Sequence, residues 1–198
     1  MAQLFVAINF REETLLSQKI AGFRKRFDPK YRTYCFFHMA LLAPFETLDK
    51  EVPSLIETLK EELESFYYDE VKAPMMSFTG VDVYSHNKKN ILYLNPYYDI
   101  NLGYCSEIIL DICKSYISPN SKYKPNKKQF LPLGYFSNKE ELSKILEQVQ
   151  LEFQSNGELE IESISLYEKK FGLWFEKETL LSFEKNQASF LQESYHEL

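Results

Sequence analysis

Two stretches decide the fold: Phe36-Phe37-His38-Met39-Ala40-Leu41-Leu42-Ala43-Pro44-Phe45 and Gln129-Phe130-Leu131-Pro132-Leu133-Gly134-Tyr135-Phe136. Both are short apolar runs bounded by punctuating residues, the pattern of a buried strand. The first strand is expected over Tyr34–Leu42 and the second over Gln129–Phe136. Residues i and i+2 of a strand point to one face. His38 therefore shares a face with Ala40, and Phe130 with Pro132.

Working outward, Leu4 to Phe10 reads as another buried strand. Leu16, Ile20, Phe23 and Phe27 then recur at helical spacing. Asp49 is placed to cap a helix that carries Val52, Leu55, Ile56, Leu59, Leu63 and Phe66 on one face. Met76–Tyr84 and Asn90–Leu94 form a hairpin around Ser85-His86-Asn87-Lys88-Lys89. Leu102, Cys105, Ile108, Ile109 and Ile112 mark a third helix. Ser137-Asn138-Lys139-Glu140 reads as a capping box before a fourth, with Leu142, Ile145, Leu146 and Val149 inward. Leu159–Tyr167 and Phe171–Phe175 are the closing strands.

Each half thus holds a strand–helix unit followed by a hairpin, an apparent internal duplication. No Pro/Gly/Ser linker parts the halves. The expected fold is α+β and bilobal: two antiparallel β-sheets with outer helices around a central cleft, related by a pseudo-twofold axis. One domain is expected over residues 1–181, with a peripheral tail over 182–198.

Composition agrees with a globular chain. Among 198 residues there are 16 Phe and 14 Tyr but only six Gly and eight Pro, which excludes collagen-like and disordered classes. The formal charge of −6 gives no general attraction for polyanions such as duplex DNA, although a local basic patch can supply it. Cys35, Cys105 and Cys113 lack metal-ligand spacing and lie in apolar surroundings, as reduced thiols of a cytoplasmic protein do. Cys105 and Cys113 would sit about 12 Å apart along one helix, too far for a disulfide. Met1–Phe10 has no basic n-region and does not read as a signal peptide. No run is long enough to span a membrane. There is no Gly-rich phosphate loop, Ser nucleophile elbow or metal cluster, so no cofactor or metal is expected, and a monomer is.

The two motif stretches, with the opening strand running into Arg11-Glu12-Glu13, the hairpin Gly80-Val81-Asp82-Val83-Tyr84/Ile91-Leu92-Tyr93-Leu94, and Leu166-Tyr167-Glu168 followed by Trp174, resemble the two-histidine phosphoesterase superfamily. This is the 2′–5′ RNA ligase-like and cyclic phosphodiesterase-like group, and the resemblance covers about 180 residues. Its mark is a His-x-Thr/Ser-x motif in each half. It implies one imidazole as base and the other as acid across a phosphorus, with two hydroxyls on the non-bridging oxygens. The typical reaction opens a 2′,3′-cyclic phosphate to a 2′-phosphate without a metal.

Measured against that pattern, the chain is degenerate. His38 holds the first histidine position, but Ala40 stands in place of the first hydroxyl. Phe130 replaces the second histidine, and Pro132 the second Thr/Ser. Tyr135 falls where relatives often place a cation. A positioned acid or base is worth about 10²–10⁴-fold and an oxyanion donor about 10²–10³-fold, so family-type catalysis should be largely lost. His38 is either a ligand-contacting imidazole or a buried histidine bonded to backbone. Lys122, Lys124, Lys127 and Lys128 around Tyr123 either grip a nucleic-acid backbone or form a solvated loop. His86 and His196 read as exposed residues without a role.

The expected function is a pseudoenzyme that binds a phosphorylated nucleotide or RNA end. It would do so with His38, Ala40, Phe130, Pro132, Tyr135, Lys124, Lys127 and Lys128 about the cleft. The alternatives are an active phosphoesterase with altered chemistry at His38 and a protein-interaction module.

Overall fold

The structure is a computed structural model that describes residues 1–28, 31, 38–66, 73–86, 89–97, 100–119, 121, 123, 129–154 and 157–184. Among the described residues, seven strands and four α-helices follow one another as β1 (Ala2–Phe10), α1 (Leu15–Phe27), β2 (His38–Thr47), α2 (Val52–Phe66), β3 (Met75–His86), β4 (Lys89–Tyr97), α3 (Ile100–Tyr116), β5 (Leu131–Phe136), α4 (Lys139–Glu152), β6 (Glu158–Lys170) and β7 (Leu173–Ser182). The α+β class read from the sequence is the one observed.

All strand pairs are antiparallel. The order is β2-β1-β6-β3-β4-β5, with β7 on β6. Where two sheets were expected, the strands join into one seven-stranded sheet through β6. The start of β6 pairs with β3 through Met75–Glu160, and the rest of it lies between β1 and β7. At thirteen residues, β6 is long enough to pair with all three of these strands.

Alternation in β1 sorts the interior into two faces. Leu4, Val6, Ile8 and Phe10 join the main core with Ile20 and Phe23 of α1, Leu55, Leu59 and Leu63 of α2, Cys105, Ile109 and Cys113 of α3, and Leu142 and Val149 of α4. All four helices pack on this face because each carries an apolar stripe of the right period. The other face holds a smaller cluster of Phe5, Ala7, Tyr167 and Trp174. Truncating a fully buried residue such as Leu59 would cost about 2–5 kcal/mol.

Gly134 sets the approach of α1 to β5. A Cβ at this position would lie 2.8 Å from the Phe27 Cβ and 3.1 Å from the Phe27 carbonyl oxygen, so any side chain would push the helix off the strand.

Local sequence readings need four corrections. Asp49 begins a 3₁₀ turn, Asp49–Glu51, rather than capping α2, and its carboxylate accepts from the Met1 ammonium at 2.5 Å. The cap of α4 is Asn138, one residue beyond Ser137, and it accepts from the Glu140 N–H at 2.8 Å. Phe171 lies in the β6–β7 turn, not in a strand. The second motif strand begins at Leu131, so Phe130 immediately precedes it. Of the expected tail, Phe183 is buried and its carbonyl accepts from Arg11 Nη2 at 2.7 Å; residues 185–198 lie outside the described residues.

Candidate functional site

The site is built on the helix-free face of the β1–β2–β6 ladder. His38 of β2 stands opposite Asn9, and Ala40 opposite Ala7. On the other flank of β1, Tyr167 stands opposite Phe5, Ser165 opposite Ala7 and Ser163 opposite Asn9. The two-residue period brings all eight side chains to one face.

His38 is 9% exposed. Its ring lies 5.5 Å from Phe5 and 6.2 Å from Tyr167. Ala40 packs against the Phe5, Ala7, Tyr167 and Trp174 cluster. Beside His38 runs a buried polar network. Asn9 Nδ2 donates to Ser163 Oγ at 2.8 Å and to Ser165 Oγ at 2.9 Å, and Tyr167 Oη donates to Asn9 Oδ1 at 2.7 Å. Burial, reinforced by the charge of Glu176, pushes the Tyr167 phenol well above its usual range. It stays protonated, which suits a hydrogen-bond donor and disqualifies it as a general base near neutral pH.

Sequence reasoning gave Asn9, Ser163, Ser165 and Tyr167 no role. The signal was present, since Ser163, Ser165 and Tyr167 alternate on a strand whose intervening residues are Ile164 and Leu166.

The second motif stretch arrives from the far end of the strand order. Phe130 is half-buried, its ring 4.8 Å from Tyr93 and 6.2 Å from Tyr84. Pro132 is opposite Tyr93, whose hydroxyl donates to Asp82 Oδ2 at 2.9 Å. β2 and β5 are the two ends of the sheet path, yet they touch. Gln129 Nε2 donates to the Leu41 carbonyl at 2.9 Å and also to Ser106 Oγ. The two motif strands are thus neighbours.

Other expected residues fall elsewhere. Tyr135 lines a cavity of about 630 Å³ together with Lys25, Arg26 and Tyr31. Lys122, Lys124, Lys127 and Lys128 lie outside the described residues, as do Cys35 and His196. His86 is the last residue of β3.

A cavity of about 440 Å³ adjoins the polar network, lined by Asn9, Ser163 and Tyr167 and by the carboxylates Glu12, Glu162 and Glu176. Its one guanidinium, Arg11, is engaged by Glu160 at 2.8 Å and Glu162 at 3.6 Å. This basin disfavours an anion by like-charge repulsion. Neither of these two cavities is lined by His38, Ala40, Phe130 or Pro132.

The chemical capacity of the arrangement is limited. His38 supplies one imidazole, and Phe130 of the second motif stretch, whose ring lies on Tyr93, is a phenyl. A phenyl ring neither takes nor gives a proton. Among the described residues no group of His, Cys, Asp and Glu is placed to hold a metal ion.

No family model matches the chain, and no curated protein does. Solved structures do. The chain is similar to one described as a phosphoesterase, with a TM-score of 0.50 and 12% identity over 93% of this chain and 100% of the other. E. coli LigT complexed with 3′-AMP gives a TM-score of 0.49 and 14% identity over 93% and 100%, and its complex with ATP gives 0.47 and 13% over 92% and 99%. The first of these likenesses shows that the chain shares that structure's fold over nearly its whole length.

Proposed function

We propose that the chain is a catalytically impaired phosphoesterase-like protein that binds a phosphate-bearing nucleotide or RNA end at the His38 face. The impairment rests on Phe130, which the resemblance sets in the second histidine's place and whose ring lies on Tyr93. In-line opening of a cyclic phosphate needs one group to accept a proton and another to deliver one. His38 alone can do only one of these at a time. Ala40 and Pro132 offer no side-chain donor to the charge that builds on phosphorus oxygens.

Hydrolysis of 2′,3′-cyclic AMP by metal-free protein tests this reading. Wild type and His38→Ala should both stay at the buffer rate. Turnover that His38→Ala abolishes would instead establish an active enzyme with altered chemistry. Binding of the same nucleotide, followed by the His38 ring resonances, should move in wild type.

A second reading, an interaction module with its cleft filled by side chains, draws support from the burial of His38 between Phe5 and Tyr167. Unmoved His38 resonances at millimolar nucleotide would favour it. None of the described helices is long and apolar enough to cross a membrane. The buried thiols Cys105 and Cys113, which form no disulfide, support a reducing, cytoplasmic setting.

A further inference from the structure

The 630 Å³ cavity at the C-terminal end of α1 lies within the usual size range of small-molecule sites, about 300–1,000 Å³. Its lining is chemically selective. Arg26 and Lys25 are exposed cations on its wall. The Arg26 guanidinium rests over two rings, 5.4 Å from the centroid of Phe23 and 5.4 Å from that of Phe27, and Phe27 in turn packs on Phe136 at 5.5 Å. Such stacking fixes the orientation of the fork before any ligand arrives, so less freedom is lost on binding.

Two carboxylates share the lining, but they do not cancel the cations. Asp28 is buried and bound by Arg24, whose Nη2 and Nε lie 3.1 and 3.3 Å from its Oδ2. Its charge is answered inside the protein. Among the described lining residues, Lys25 and Arg26 are then set against Glu141 alone. Tyr31 and Tyr135 add two aromatic walls, and a phenol face stacks well on a planar ring.

From this combination we infer that the cavity binds a small organic anion carrying a planar ring, the class that includes nucleoside monophosphates and aromatic carboxylates. Arg26 and Lys25 take the anionic group, and Tyr31 and Tyr135 flank the ring. The site shares no residue with the His38 face, and it stands or falls separately from the function proposed there.

Titration calorimetry at low salt with three probes, AMP, benzoate and inorganic phosphate, tests it. AMP or benzoate should bind about tenfold or more tightly than inorganic phosphate, because only they offer a ring to the tyrosines. Whichever of the two binds better identifies the anionic group. Arg26→Glu and Tyr135→Ala should each weaken binding about tenfold. Arg26→Gln, which keeps the stem on the rings, should weaken it as well, and His38→Ala should not. The inference is overturned if none of the probes binds at millimolar concentration or if affinity survives Arg26→Glu. It is equally overturned if His38→Ala abolishes binding while the Arg26 variants retain it.

Discussion

Gln129 and Leu41, 88 residues apart in sequence, are joined by a 2.9 Å hydrogen bond from the side-chain amide of the first to the main-chain carbonyl of the second. The bond ties β2 to the approach of β5 across the ends of the sheet path. Its origin lies in an irregularity of β2. The β1–β2 register slips between Val6↔Leu42 and Ala7↔Ala40, which leaves Leu41 without a partner residue in β1. A carbonyl at such a slip is turned out of the ladder, and Gln129 satisfies it.

Gln129→Ala should therefore lower stability by about 1–3 kcal/mol, the usual cost of stranding a part-buried polar group. Gln129→Glu should cost at least as much, since a carboxylate oxygen would face the carbonyl. Urea denaturation of the two variants checks this, and unchanged midpoints would show that water replaces the amide without loss.

The elements that position the site were legible because each carries a strong period. Ile20 and Phe23 in α1, Leu55, Leu59 and Leu63 in α2, and Leu142 and Val149 in α4 are all in the core as their spacing required. What escaped was decided by single hydrogen bonds and turn geometry. Asn138 takes the cap from Ser137 because its own side chain reaches the Glu140 N–H. Nothing local in the sequence could have shown that Gln129 meets Leu41, since that pairing depends on the course of the whole sheet. At the site, the His38–Ala40 face was readable from the strand period. The Asn9–Ser163–Ser165–Tyr167 network required knowing that β6 lies beside β1.

The buried ion pair Arg24–Asp28 gives a second prediction. Both side chains are almost wholly inaccessible, 4% and 2% exposed, at a separation of 3.1 Å. Asp28→Ala would leave the guanidinium buried without its carboxylate, at a cost of about 3–5 kcal/mol. Replacing both members, as Arg24→Met with Asp28→Leu, should recover most of that loss. A double-mutant cycle by thermal denaturation measures the coupling. A double variant no more stable than Asp28→Ala would show that the charges themselves are required.

Alkaline pH should destabilise the protein through buried acids. Burial raises the Cys113 thiol from its ordinary 9.0 to about 12, and the Tyr167 phenol moves in the same direction. In each case the folded state holds a proton that the unfolded chain releases more readily. The associated stability is complete below about pH 9 and declines as the pH rises from there towards 12. Cys113→Ala will be less stable at neutral pH because of the cavity it leaves, but its loss between pH 9 and 10 should be smaller than that of wild type. Melting temperatures across that interval decide the point, and parallel curves would mean that Cys113 does not titrate with unfolding.

The β6–β7 turn supplies the last prediction. Lys170 pairs with Leu173 across a two-residue connection, Phe171-Gly172, in which both residues have positive φ, 52° and 82°. This is the backbone sense that matches the twist of a tight hairpin, and Asn-Gly is its favoured sequence. Glycine accepts the conformation without strain, whereas a side chain such as Phe crowds its own carbonyl, a cost of about 1–2 kcal/mol. The Phe171 ring recovers none of it, being 100% exposed. Phe171→Asn should therefore stabilise the fold by about 1 kcal/mol, since asparagine tolerates the left-handed region. For a chain of this size that corresponds to a rise of about 2–4 °C in Tm. Phe171→Ala, which removes the ring but keeps a Cβ, should gain less. If Phe171→Asn melts below wild type, the ring is making a stabilising contact that its exposure conceals, and the strain argument at this turn fails.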